Sequence, residues 1–420
     1  DEIFMTIFAI CIFCSLAMLL CFHFIFVWNF CRVIKGHQPK QLQDSECPKT
    51  IICLNLRGMD PFLAIALPKL LDQDYPNYDV FIVVDHPDDP VYKFAQDLVL
   101  ASGKTNVKIE VLTNRNPTCS LVNSALLQTI QNHGNEYEVV AMIDADAVPH
   151  KTWLRELLGP FRDKSVGTVT GQRWYFPPRA SLGDLVRYIW NIPAVLQMVF
   201  FKIPWGGSLA IRMDVFKECK VADYYENALV QDVPLFDILK KSGYLVQFAP
   251  SILMVNRESI TLSSLVPWIQ RQLLWAILYH SCWWKIVIHG ILVTVVPVGL
   301  LSLMVNGIML HNIRIYLSAS VCLLTYGLIT LSQLLLLENQ ARKIVKRRGE
   351  CVGWLNPLKF LTFIPALLVA QLVYPKALLF ALFSRKIEWR GIHYQIQDPY
   401  NVKMLSYEPY KSKNKDKNSL

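Results

Sequence analysis

The chain has 420 residues, of which 53% are hydrophobic and only 18% charged. That is too apolar for an ordinary soluble protein and too charged for one wholly buried in a bilayer, so a polar domain joined to membrane spans is implied. The net charge of +9 forms no stripe of the kind that binds nucleic acid; the basic residues flank apolar segments, at Arg32, Lys35 and Lys40, at 342–348, and at Arg385, Lys386 and Arg390, which is the pattern of cytoplasmic flanks.

Residues 3–30 are almost unbroken apolar and long enough to cross a bilayer of about 30 Å. They carry no positive leader region and no small-residue cleavage site, so 1–32 reads as a retained anchor. The eleven cysteines show no metal-site spacing and read as reduced. Residues 48–260 carry α/β patterning. Strands over 50–54, 79–84, 107–112 and 139–143 alternate with helices over 61–71, 91–101 and 120–133, which predicts a doubly wound, mainly parallel sheet. Residues 182–201 are apolar and aromatic but interrupted by Asp184, Arg187, Asn191 and Pro193, and read as a helix at the bilayer surface. A second interfacial helix is expected within 261–285, where Trp268, Trp275, Trp283 and Trp284 suit the headgroup level. Within the C-terminal membrane bundle, 286–383, two spans over 286–310 and 313–337 flank the turn His311-Asn312. Residues 358–383 contain Pro365, Pro375 and Lys376 and read as one span or a broken hairpin. The basic residues that follow favour a cytoplasmic tail over 384–420, and therefore the hairpin.

The chemistry centres on Asp144-Ala145-Asp146, directly after the run Val139-Val140-Ala141-Met142-Ile143. Two aspartates two apart point to one face of a strand. The carboxyl end of a strand is where open α/β sheets bind ligands. Two hard oxygen donors there suit Mn²⁺ or Mg²⁺, with a phosphate supplying further oxygens. Asp85 follows the second strand, in a His-Pro-Asp-Asp-Pro setting where Asp88 and Asp89 suit turn caps. Asp232 suits either a base or the N-cap of a helix over 233–242. Arg271 and Trp275 lie at i, i+4 on one helical face. Trp205-Gly206-Gly207 precedes an apolar run, and its glycines allow close approach of a ligand to the backbone. The histidines have no metal spacing.

Asp85, Asp144-x-Asp146, Asp232 and Gln270-Arg271-x-x-Leu274-Trp275 stand in an order that resembles the D, DxD, D, (Q/R)xxRW series of inverting GT-A glycosyltransferases of the family-2-like group. That superfamily includes ceramide glucosyltransferase, hyaluronan synthase and cellulose synthase. Leu56-Arg57-Gly58-Met59-Asp60-Pro61, His86-x-Asp88-Asp89-Pro90 and Trp389-Arg390-Gly391-x-x-Tyr394 are most similar to the ceramide glucosyltransferase family, over roughly 50–395. The chain departs from the pattern at Leu274, where the motif has arginine, at Gln231, where an acidic residue is usual, and before Asn123, where a lysine is usual. The resemblance implies a GT-A, Rossmann-like mixed sheet domain facing the cytoplasm, with interfacial helices and 3–4 transmembrane helices. It implies a UDP-sugar held by Asp85, Asn123, Asp144, Asp146 and Arg271, and Mn²⁺ or Mg²⁺ on Asp146 and Asp144. Asp232 would be the base, and Trp275, Trp205, Gly206 and Gly207 would border a lipid acceptor. One rival is a processive polysaccharide synthase extending a growing glycan, for which three or four spans are few. The other is a catalytically inactive membrane scaffold, against which the three retained aspartate motifs stand. The motifs leave the sugar, the acceptor and the oligomeric state open.

Overall fold

The computed structural model describes residues 2–36, 42–177, 179, 181–350 and 357–410. Strands β1 (Thr50–Leu56), β2 (Tyr78–Val84) and β4 (Val139–Ile143) are apolar runs buried along most of their length. Such runs are what a parallel sheet covered on both faces requires. With β3 (Val107–Val111), β5 (Val166–Tyr175), β6 (Ser208–Arg212) and β7 (Leu245–Asn256) they form one sheet in the order β3-β2-β1-β4-β6-β5-β7. β1 pairs in parallel with β2 and β4, and β2 with β3. This is the doubly wound core expected from the alternating pattern. The extension beyond β4 is new: β6 runs antiparallel to both neighbours, and β5 runs parallel to β7. The strand order reverses at β1, so a crevice opens beyond the carboxyl ends of β1, β2 and β4.

Four helices are long and apolar enough to cross a membrane: Ile3–Gly36, Trp283–Met309, Ile313–Arg347 and Thr362–Phe383. Phe24, Val298, Val305 and Val321 on them are exposed. Apolar surface on that scale needs lipid to cover it, so this is an integral membrane protein. A buried network ties the third of these helices to the sheet. Glu338 accepts from Trp174 Nε1 at 3.0 Å, from Tyr188 Oη at 2.8 Å and from Arg342 Nε at 2.7 Å.

Two expectations about the membrane part change. Helix Leu182–Phe201 is sandwiched rather than laid on the surface, with Asp184, Arg187 and Asn191 all buried. Its Arg187 pairs with Glu258 at 3.4 Å and lies 4.0 Å over the Tyr175 ring, instead of facing headgroups. Residues 357–383 form one continuous helix, Pro357–Phe383, with Pro365 and Pro375 inside it, and not a hairpin. Both its ends nevertheless return to the sheet side. Arg348, before it, donates to the carbonyls of Ser251 and Leu253. Phe363 packs 6.5 Å from Tyr188, and Ser384 accepts from Gln270 at 2.6 Å. A continuous helix with both ends on one side does not cross the apolar layer. The chain then forms a small antiparallel sheet, β8 (Lys386–Trp389), β9 (Ile392–Asp398) and β10 (Asn401–Ser406), that closes over the crevice. Single cysteines introduced at Lys108 and Lys403 should therefore react with a membrane-impermeant thiol reagent from the same side of sealed vesicles; labelling from opposite sides would mean that Pro357–Phe383 is a fourth crossing.

Candidate active site

Asp144 and Asp146 lie just past the end of β4, in a turn closed by the Ala147 N–H donating to the Asp144 carbonyl at 3.0 Å. They are not in the strand itself, yet both line the crevice. The register explains what stands beside them. Ile143 of β4 pairs with Ser208 of β6, so the residues before Ser208 run alongside Asp144. A Cβ on Gly207 would meet Asp144 Oδ2 at 2.8 Å and the Trp205 ring at 2.1 Å. Gly206 donates its N–H to Asp232 Oδ2 at 2.7 Å, and a Cβ there would meet Gln231 Nε2 at 2.4 Å. The two glycines thus allow backbone to approach the two carboxylates, and Gly206 also lines the cleft.

Asp232 sits in the loop before helix Leu235–Lys241, whose N-cap is Pro234. Its carboxylate does not cap that helix; it accepts from Gly206 and, at 2.7 Å, from the Val233 N–H. Burial raises its pKa, and the two N–H donors oppose that rise. Asp144 is pushed up to about 7, first by burial and then by Asp146. Asp146 accepts from Asn256 Nδ2 at 3.1 Å, at the end of β7. Among the described residues no cluster of three or more His, Cys, Asp or Glu side chains forms a complete metal cage. A pair of carboxylates with open positions remains, which suits a cation whose other ligands are phosphate oxygens and water.

Cations face these carboxylates. Arg271, on helix Leu262–Tyr279, lines the crevice and has no hydrogen bond or ion pair among the described residues. Burial lowers its pKa to about 10, helped by repulsion from Arg390 and Arg173. Arg173 lies 5.4 Å over Trp205 and 5.1 Å over Trp268. Arg390 donates to the Arg57 carbonyl at 2.6 Å. Three arginines around one cleft repel one another unless an anion sits among them. Sequence reasoning missed Arg173 and Arg390. The first lies inside a buried strand, and the second was read as a membrane flank.

Asp85, at the end of β2, is buried between Arg57, which hydrogen-bonds it, and Arg115, whose Nε lies 3.6 Å away. Asp89 caps helix Pro90–Ser102 through the Val91 N–H at 3.0 Å, as its setting implied. Asn123 does not line the crevice. Its Nδ2 donates to the carbonyls of Tyr225 and Ala228, at 3.1 and 2.9 Å, and braces the loop that leads to Asp232. Trp275 and Trp205 do line it, and Trp275 lies 6.0 Å from Trp389. Leu274 is 1% exposed and packed in the core, one position away from the cleft-facing side chain of Trp275. Leu274→Arg would bury an unpaired guanidinium and should cost roughly 3–5 kcal/mol. A large drop in melting temperature of the solubilised protein is the expected result; an unchanged melt would show that the position can reach the cleft.

A doubly wound sheet with carboxylates and arginines around the crevice at its switch point, carried on membrane helices, defines a GT-A glycosyltransferase. The chain belongs to glycosyl transferase family 21, whose family model matches residues 6–401. None of the curated protein sequences matches. Among solved structures the chain is similar to a mannosyltransferase from Pyrobaculum calidifontis in complex with GDP-Man and Mn²⁺, at 15% identity and a TM-score of 0.53, over 90% of this chain and 99% of that one. It is also similar to glucosyl-3-phosphoglycerate synthase from Mycobacterium tuberculosis, at 15% identity and a TM-score of 0.35, over 55% of this chain and 82% of that one.

Proposed function

We propose that this glycosyltransferase moves a sugar from a UDP-sugar to the hydroxyl of a membrane lipid, as a ceramide glucosyltransferase-like enzyme, with its cleft at the cytoplasmic face. One observation carries the reading. The polar cleft adjoins an apolar cavity between the sheet and the membrane helices, and Trp205, Asp232 and Trp275 line both. Ile189, Ile192, Leu196 and Val293 line the cavity, which suits hydrocarbon rather than a growing glycan.

In this reading Asp85 and its arginines border the nucleoside. Arg271, Arg173 and Arg390 draw the diphosphate into the cleft. Asp144 and Asp146 hold Mn²⁺ or Mg²⁺, which would offset charge on the leaving diphosphate. Asp232 takes the proton of the acceptor hydroxyl as its oxygen attacks the anomeric carbon. The carbon–oxygen bond to UDP breaks on the opposite side, so the anomeric centre inverts. Trp205 and Trp275 wall the junction where the headgroup must sit.

Asp232 accepts a proton only when ionised. With its pKa raised by burial, transfer should fall as pH drops through a value above about 4, the ordinary carboxylate range. A kcat/KM profile that stays flat down to that pH would remove Asp232 as the base. The reading as a whole is tested by UDP release from purified protein with Mn²⁺, across a panel of UDP-sugars, with and without ceramide or diacylglycerol. Lipid-stimulated release from one donor is expected. GDP-Man, named in the mannosyltransferase complex, is the control donor. Release without lipid, with a high-mass product, would favour a polymer synthase, and no release at all an inactive scaffold.

A further inference from the structure

The apolar cavity contains polar atoms that the packing does not use. His23 of the first membrane helix, Gln197 of Leu182–Phe201, His289 of Trp283–Met309 and Gln371 of Pro357–Phe383 all line it. Gln197 and His289 are only 5% and 3% exposed. Gln197 Nε2 lies 3.3 Å from His289 Nδ1, and the His23 and His289 rings are 5.4 Å apart. His23 Nδ1, Gln197 Oε1, His289 Nε2 and Gln371 Oε1 are buried and have no hydrogen-bond partner among the described residues. A buried polar atom left without a hydrogen bond is costly. Thr330 Oγ1 of Ile313–Arg347 lines the same cavity and also has no such partner, so five helices contribute one atom each to one cavity, which packing alone does not call for.

The chemistry of the set is specific. Gln197 donates to Nδ1 of His289, which leaves the imidazole proton on Nε2. The group therefore offers an N–H donor from His289 and two amide oxygens as acceptors. Apart from Arg173 and Asp232 at the cleft end, the cavity lining holds no Asp, Glu, Lys or Arg, so its complement is uncharged. We propose that His23, Gln197, His289 and Gln371 form a binding site for an uncharged group that both donates and accepts a hydrogen bond, carried on the hydrocarbon part of the acceptor lipid. The inference rests on the lipid-acceptor reading above. The site selects the class of lipid, because an ester only accepts and leaves the Gln197 and Gln371 amide oxygens without a donor, whereas an amide or a chain hydroxyl satisfies both sides.

The test uses the full-length protein in nanodiscs and three acceptors that share one headgroup hydroxyl and one pair of chain lengths. One is joined through a secondary amide, one through an ester, and one through an ester with a hydroxyl on the chain. The native enzyme should prefer at least one donor-bearing lipid over the plain ester by roughly tenfold in kcat/KM, mostly through KM. The preferred arm names the group. Gln197→Leu combined with His289→Phe should erase that preference and leave the KM for the UDP-sugar unchanged. Where the double variant does not fold, Gln371→Leu, on another helix, should weaken the same preference. Equal use of all three lipids by the native enzyme, or a preference that survives both variants, would overturn the site. Failure of every lipid to accept sugar would instead remove the lipid-acceptor reading, and this inference with it.

Discussion

Asp232→Asn is expected to reduce kcat for sugar transfer by about 10²–10⁴-fold, the usual contribution of a positioned general base. Nucleotide affinity should be unchanged, because Asp232 lies where the cleft meets the apolar cavity, away from Asp85 and its arginines. The native carboxylate accepts one N–H from Gly206 and one from Val233, both at 2.7 Å. These fix its orientation and leave the remaining lone pairs for the acceptor proton. Asparagine keeps the shape but cannot take a proton at neutral pH. Its amide group would also face one of the two donors, so a modest loss of stability should accompany the loss of rate. UDP affinity by calorimetry, a melting curve and single-turnover transfer separate these effects. Near-native transfer in the folded variant would move the role of base elsewhere in the cleft.

The second large effect concerns the paired carboxylates after β4. Removal of divalent cations with EDTA should lower transfer by about 10²-fold or more, the scale on which a single preorganised charge stabiliser acts at a leaving group. Asp144→Asn and Asp146→Asn should each weaken Mn²⁺-dependent UDP binding, measured directly without turnover. The physical reason lies in the raised pKa of Asp144, pushed to about 7 by burial and by Asp146. Two carboxylates in one cleft repel each other, and a cation between them relieves the repulsion. Turnover and UDP binding that ignore both EDTA and these substitutions would assign charge neutralisation to Arg173, Arg271 and Arg390 alone.

Much of the site was legible because it is local. Asp85 and Asp144-x-Asp146 follow apolar strands whose ends define the crevice, and strand ends can be read from a run of four to seven residues. Arg271 and Trp275 share a helical face through their spacing. The parts that were misread depend on long-range register. Gly206 and Gly207 suit close approach to a ligand by their lack of a side chain, and only the β4–β6 pairing shows that they also stand against Asp144 and Asp232. The resemblance implies Asn123 as a cleft residue, yet its amide serves carbonyls more than a hundred positions away. Leu274 stands where the motif has arginine. The helix turns it into the core, and Arg173 and Arg390 bring positive charge to the cleft from elements 101 residues before and 116 after it.

The sequence by itself determined the apolar strands of a doubly wound sheet, the membrane anchor and two spans, and the aspartates at the strand ends, because burial periodicity and hydrophobic length are properties of short segments. Only the tertiary structure decided the antiparallel insertion of β6, the return of Pro357–Phe383 to its own side, the closing of β8–β10 over the cleft, and the junction of polar cleft with apolar cavity. Each of these depends on contacts between segments far apart in the chain, which local pattern does not encode.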